Sequence, residues 1–68
     1  MEISGRNKLR GTIRSVRRDG IMAEIILDVE AHNLVTAVIT SNAAEDLSLK
    51  EGDVVYALIK ATSVMIMK

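Results

Sequence analysis

The sequence has no cysteine and no proline, and its aromatic content is a single tyrosine, Tyr56. Without cysteine the chain can form neither a disulfide nor a thiolate metal site, and nothing in it points to an oxidising compartment. Without proline no rigid linker is implied, and no internal repeat or low-complexity segment interrupts the chain. Without Phe or Trp there is little aromatic surface on which nucleic-acid bases could stack. No apolar run reaches membrane-spanning length. The N-terminus lacks the basic segment followed by an apolar core that marks a signal peptide, so the expected compartment is the cytoplasm.

What remains is 68 residues, 49% of them hydrophobic, with the bulk supplied by Ile, Val, Leu, Ala and Met. That length is one domain, residues 1–68, and a domain so small buries little of its surface. Disulfides and thiolate metal sites are excluded, which leaves oligomerisation as the means of securing the fold. The apolar pattern agrees. Leu34 to Thr40 and Val54 to Ile59 do not alternate cleanly, so both faces of these segments are apolar, whereas a small barrel has only one inside. The second face is expected to meet another subunit.

Charge is balanced, with nine basic and nine acidic side chains, but unevenly spread. Arg6, Lys8, Arg10, Arg14, Arg17 and Arg18 lie in the first 18 residues against Glu2 alone, and the remainder is acidic. Head and body of neighbouring subunits can attract each other, while the zero sum argues against general affinity for nucleic acid or anionic membrane.

Asp19-Gly20 between β-prone segments reads as a hairpin joining a first strand (7–18) to a second (21–30). In the second, Ile25, Leu27 and Val29 point one way and Glu24, Asp28 and Glu30 the other. His32-Asn33 turns the chain into a third strand, 34–40. Thr40, Ser41 and Asn42 are N-cap candidates for a short helix over Ala43 to Leu47. Gly52 suits a left-handed position in the next turn. A fourth strand (54–60) and a fifth (63–67) complete the domain, and Gly11 suggests a bulge where the first strand bends. The expected fold is all-β: a five-stranded OB-like barrel with one short helix between strands three and four.

Two polar clusters stand near the ends, Ser4-Gly5-Arg6-Asn7 and Lys60-Ala61-Thr62-Ser63. Together they offer hydroxyls, an amide, a guanidinium, an ammonium and backbone N–H groups, with no carboxylate. A doubly charged tetrahedral oxyanion presents only acceptors and calls for such a donor set. Phosphate at neutral pH keeps a proton that needs an acceptor. Molybdate, tungstate and sulfate do not, and size must separate those three.

Ser4-Gly5-Arg6-Asn7 followed by Leu9-x-Gly11, then Ala37-Val38-Ile39-Thr40, Leu47-x-Leu49-x-x-Gly52 and Ala57 to Val64 (ALIKATSV), resembles the molbindins, single Mop domains that bind molybdate. The resemblance runs from about residue 3 to residue 67. It implies an OB-like barrel, a homohexamer built as a trimer of dimers, and molybdate or tungstate bound between subunits for intracellular storage and homeostasis, with no cofactor and no catalysis. It assigns Ser4, Arg6 and Asn7 to the N-terminal anion-binding stretch and Lys60, Ala61, Thr62 and Ser63 to the C-terminal one from a neighbouring subunit. Thr40 matches the threonine before the helix. Gly5 stands where the family often has Ala, a harmless change. Ala43 stands where a Ser is usual, which either passes that hydroxyl's role to Ser41 or removes one donor. The two clusters are expected to meet across a subunit boundary.

Other readings use the same residues. Ser4 to Asn7 also fits a frayed terminus, Lys60 a snorkelling surface lysine, and Thr40 a plain N-cap. Asp28, Glu30 and His32 at alternate positions could hold a divalent cation, although a solvated strand face explains them with less. His32 is alternatively a candidate for a second class of anion site. Lys8, Arg10, Arg14 and Arg18 are expected to share a charged face of the first strand. An OB-like fold with a basic strip also suggests single-stranded nucleic-acid binding, against which stand the missing aromatics and the zero net charge. An enzyme is disfavoured, since one His and no Cys leave no nucleophile–base pair.

Overall fold

The computed structural model describes residues 6–68. Strand β1 (Arg6–Asp19) is followed by β2 (Met22–Val29), a 3-10 turn (Glu30–His32), β3 (Asn33–Thr40), helix α1 (Ser41–Asp46), β4 (Val54–Lys60) and a second 3-10 turn (Ala61–Ser63). The strands form one antiparallel sheet in the order β3-β2-β1-β4.

The long strand β1 organises the sheet by serving two neighbours in succession. Arg6 to Thr12 pair with β4, Thr12 to Asp19 pair with β2, and Thr12 alone stands opposite both Asp28 and Val54. The strand must bend where it changes partner. A bulge does occur there, but between Ile13 and Ser15 rather than at Gly11. Gly11 has a different reason: a Cβ there would lie 3.1 Å from the Asp28 carbonyl oxygen, a contact so tight that the end of β2 would have to give by a few tenths of an ångström. Opposite the bulge, Ile13 exchanges two 2.8 Å hydrogen bonds with the loop before β4, donating to Asp53 and accepting from Gly52. Gly52 holds φ +91°, as its turn requires.

Because the bulge shifts the side-chain alternation by one residue, the expected basic face is broken. Lys8, Arg10, Thr12 and Arg14 are exposed before or at it, whereas beyond it Arg18 pairs with the buried Ala23 and Arg17 with Glu24. Arg18 therefore does not continue the Lys8–Arg14 row.

The turn between β1 and β2 puts Gly20 at φ +63°, and the hairpin closes with Asp19 opposite Met22. The core is small: Ile13, Ala23, Ile25, Leu27 and Ala44, on the concave side of the sheet beneath the helix. Ile25 and Leu27 are the inward positions of the expected alternation. Ala44 is inward because Thr40 caps the helix, its Oγ1 accepting from the Ala43 N–H at 3.0 Å.

The fifth strand is absent. Residues 61–63 form a 3-10 turn, 64–68 belong to no strand, and Met65, Ile66 and Met67 are 92%, 91% and 95% exposed. A strand exists only by pairing, and no edge of the chain's own sheet receives this apolar tail. Among the described residues β3 and β4 remain unpaired edges. Between them opens an apolar cleft of about 620 Å³, lined by Val35, Ala37, Ile39, Val55, Ala57 and Ile59 among others. The sheet is thus a curled half-barrel of four strands. The double-sided apolar character of β3 and β4 is real: Leu34 and Val38 on one, and Val54, Tyr56 and Leu58 on the other, are more than half exposed.

Candidate functional site

Antiparallel pairing of β1 with β4 sets Arg6 and Asn7 of the first polar cluster beside the start of the second. Arg6 stands opposite Lys60 and Asn7 opposite Ile59, with the Asn7 Nδ2 donating to the Ile59 carbonyl at 3.5 Å. The Arg6 and Lys60 ends of the two clusters are thus neighbours in the same sheet. Ser4 and Gly5 lie outside the described residues, as does the side chain of Arg6.

Lys60 ends the outward row of β4, after Val54, Tyr56 and Leu58, and that row carries no carboxylate. Ala61, Thr62 and Ser63 follow in the 3-10 turn, all exposed. Among the described residues no side-chain hydrogen bond uses Lys60, Thr62 or Ser63. Among those residues their donors are unspent. A 3-10 turn also leaves its first N–H groups without intrahelical acceptors.

Thr40 and Ser41 are elsewhere. Thr40 pairs with Met22, which pairs with Asp19 at the far end of β1 from Arg6. Thirteen steps along a strand, at about 3.3 Å each, come to about 43 Å of chain path. The whole molecule measures 33 Å in its longest dimension, so β1 bends to fit, and Thr40 sits at the opposite end of the sheet from Lys60. Within one chain these residues do not share a site. Ser41 is further committed to the fold: its N–H donates to Ile21 at 2.7 Å, and its hydroxyl lies 2.9 Å from the Gly20 carbonyl and 3.0 Å from that of Met22. One hydroxyl proton serving two carbonyls leaves only lone pairs outward, which repel an oxyanion. Thr40 spends a lone pair on its cap and keeps its hydroxyl hydrogen.

His32 projects from the first 3-10 turn with φ 59°, its side chain 95% exposed. Its Nδ1 lies 3.9 Å from Asp28 Oδ2, and Arg14 Nη1 lies 4.0 Å from the same oxygen. Asp28, Glu30 and His32 do not form the expected row, because the chain leaves the strand at Val29. No group of three metal-ligating side chains occurs among the described residues.

One contact had no clear sequence signal. The Lys8 ammonium lies 5.1 Å from the centroid of the Tyr56 ring. The register explains it, since Lys8 stands opposite Leu58 and Tyr56 is the diagonal neighbour. Only the pairing of β1 with β4, invisible in a linear reading, brings them together.

Among the described residues, this end of the curled sheet thus presents Lys60, Thr62 and Ser63 with no side-chain hydrogen bond, after a β4 row without a carboxylate. The family model described as "TOBE domain" matches residues 3–66. The chain belongs to the TOBE domain family. It is 40% identical over 67 residues to molybdenum-pterin-binding protein 3 of Clostridium pasteurianum, covering 98% of each chain. Its fold matches a solved molybdate-binding protein from Sporomusa ovata with TM-score 0.93 and 41% identity over the full length of both chains. It also matches the cytoplasmic molybdate-binding protein ModG, solved with molybdate bound, at TM-score 0.90 and 32% identity, covering 96% of this chain and 46% of that one. Within the TOBE family, the molbindin resemblance therefore holds along the whole described chain.

Proposed function

We propose that this TOBE-domain protein binds molybdate and tungstate, holding the oxyanion for intracellular storage and homeostasis in the cytoplasm rather than transforming it. The observation that carries this reading is the donor group at the β1–β4 end, where Arg6 stands opposite Lys60 and the hydroxyls of Thr62 and Ser63 are unspent. Ser4, Asn7 and the backbone at Ala61 complete the set. Molybdate offers acceptors only, so every contact in such a group is favourable and no proton is left without an acceptor. The molybdate-binding relatives support the same ligand.

The working unit is a homo-oligomer, a hexamer arranged as a trimer of dimers, with anion sites at chain boundaries. Surface area favours assembly: the chain exposes 5722 Å², whereas a folded monomer of 7.4 kDa exposes about 4200 Å². The excess, about 1500 Å², is roughly twice what one partner buries in a standard interface, as fits a chain with more than one neighbour. The apolar tail and the apolar cleft between two unpaired edges are complementary, so a second copy can supply the missing fifth strand. Thr40 can join Lys60 only from a second chain, and His32, on an exposed turn, is a candidate for a second class of site. Ligand occupancy and assembly are then linked, and molybdate raises thermal stability.

Calorimetric titration with molybdate, tungstate, sulfate and phosphate, beside a native mass measurement, tests the reading. Micromolar or tighter binding of the first two by a multi-chain particle is expected. A monomer that binds none of them refutes it. A shift with oligonucleotides that fades with salt is the signature of the nucleic-acid alternative, which the single tyrosine, already occupied by Lys8, does not favour.

A further inference from the structure

Lys8 lies between two diagonal neighbours on the outward face of the β1–β4 pair. It stands opposite Leu58, so Tyr56 is two residues to one side and Lys60 two residues to the other. Cα atoms in such diagonal pairs are about 7–8 Å apart, within reach of a long side chain in either direction. Lys8 leans on Tyr56, with its ammonium 5.1 Å from the ring centroid. Two forces set that choice: the ring face attracts a cation, and the Lys60 ammonium repels one. A dianion held beside Lys60 reverses the second force, because two negative charges outweigh one ammonium.

We propose that Lys8 is a movable cation of the anion site, exchanging between the Tyr56 ring and an oxyanion bound beside Lys60. This rests on the reading of the β1–β4 end as an oxyanion site. The ring competes with the anion for the same ammonium, so Tyr56 lowers affinity by holding Lys8 back, and it favours ligands that recruit the lysine strongly. A dianion recruits it more strongly than a monoanion of the same size. Tyr56 thereby acts on charge selectivity without touching the ligand. Arg10 provides the control: it stands opposite Tyr56, four residues from Lys60 along the register and about 13 Å away, too far to take part.

The protein carries its own reporter, since Tyr56 and His32 are its only aromatic-region side chains and the tyrosine ring protons are resolved by NMR without labelling. The experiment titrates molybdate into the intact parent oligomer and into Lys8→Gln, Arg10→Gln, Tyr56→Leu and the Lys8→Gln/Tyr56→Leu pair. Affinity and the Tyr56 ring shift are read together. Lys8→Gln is expected to bind about tenfold more weakly. Tyr56→Leu, which keeps the apolar bulk, is expected to bind about threefold more tightly. Arg10→Gln should stay within about twofold of the parent, as a charge distant from the anion and screened by salt. In the double variant the gain from Tyr56→Leu vanishes, and the ring shift seen in the parent is absent from Lys8→Gln.

Equal weakening by Lys8→Gln and Arg10→Gln would reduce the effect to net charge and overturn the proposal. So would a Tyr56→Leu gain that persists without Lys8, or a Tyr56 ring shift that persists in Lys8→Gln. Unchanged binding in Lys8→Gln, with molybdate bound by the parent, overturns the lysine's role alone. A parent that binds no molybdate overturns the underlying site and the lysine's role together.

Discussion

The two ends of β1 carry similar side chains put to opposite use. At the hairpin end, Ser41 is bound to the carbonyls of Gly20 and Met22, and Thr40 caps the helix. At the other end, Lys60, Thr62 and Ser63 make no side-chain hydrogen bond to any described residue. The Ser41 hydroxyl proton, spent on two carbonyls, cannot also be donated to a ligand, whereas Thr40 accepts in its cap and keeps its hydroxyl hydrogen. The contrast teaches that a candidate binding group is marked less by its residue types than by which of its donors the fold leaves unused.

Substitutions at the two ends should therefore separate binding from stability. Lys60→Ala is expected to cost about 1.5–3 kcal/mol of molybdate affinity, the scale of a charged hydrogen bond, with the unfolding midpoint of the ligand-free protein unchanged. Calorimetry and denaturant unfolding on the same preparation check both halves. Between the two ends lies the bend, where Gly11→Ala forces a Cβ to 3.1 Å from a backbone oxygen. An unfolding curve should show it less stable by about 1–3 kcal/mol, the usual cost of overpacking. At the hairpin end, Thr40→Ala is expected to lose about 1 kcal/mol of stability through the helix cap. Thr40→Ser, which keeps the cap oxygen, should retain the parent's stability. Ser41→Ala comes last, with about 0.5–1.5 kcal/mol of stability lost and molybdate affinity within twofold of the parent. A large affinity loss in Ser41→Ala would mean that the hairpin-end hydroxyl serves the ligand after all.

Much of this contrast was legible in the chain, and what was not follows from long-range pairing. Local signals carried well: Gly20 and Gly52 turn where backbone conformation demands them, Thr40 caps the helix, and Ile25 and Leu27 face inward. The fifth strand failed because residues 63–67 have strand chemistry but pair with neither open edge, β3 or β4, of their own sheet, and pattern alone does not fix pairing. The bulge expected at Gly11 falls instead between Ile13 and Ser15, because Gly11 answers to the close approach of Asp28 rather than to an extra residue. The donor clusters were visible as composition. Their adjacency within one chain came from the β1–β4 register, and so did the separation of Thr40 from Lys60. Ser41 looked like a spare hydroxyl only because its acceptors, the carbonyls of Gly20 and Met22, lie about twenty residues away in sequence.

The most direct test is a crystal of the intact protein grown with molybdate and measured at the molybdenum absorption edge. The account predicts an anomalous peak within hydrogen-bonding distance of the Lys60 ammonium, beside the Arg6 end of β1. A molybdenum peak only at the hairpin end beside Ser41, or none anywhere in a crystal grown at saturating molybdate, would contradict it.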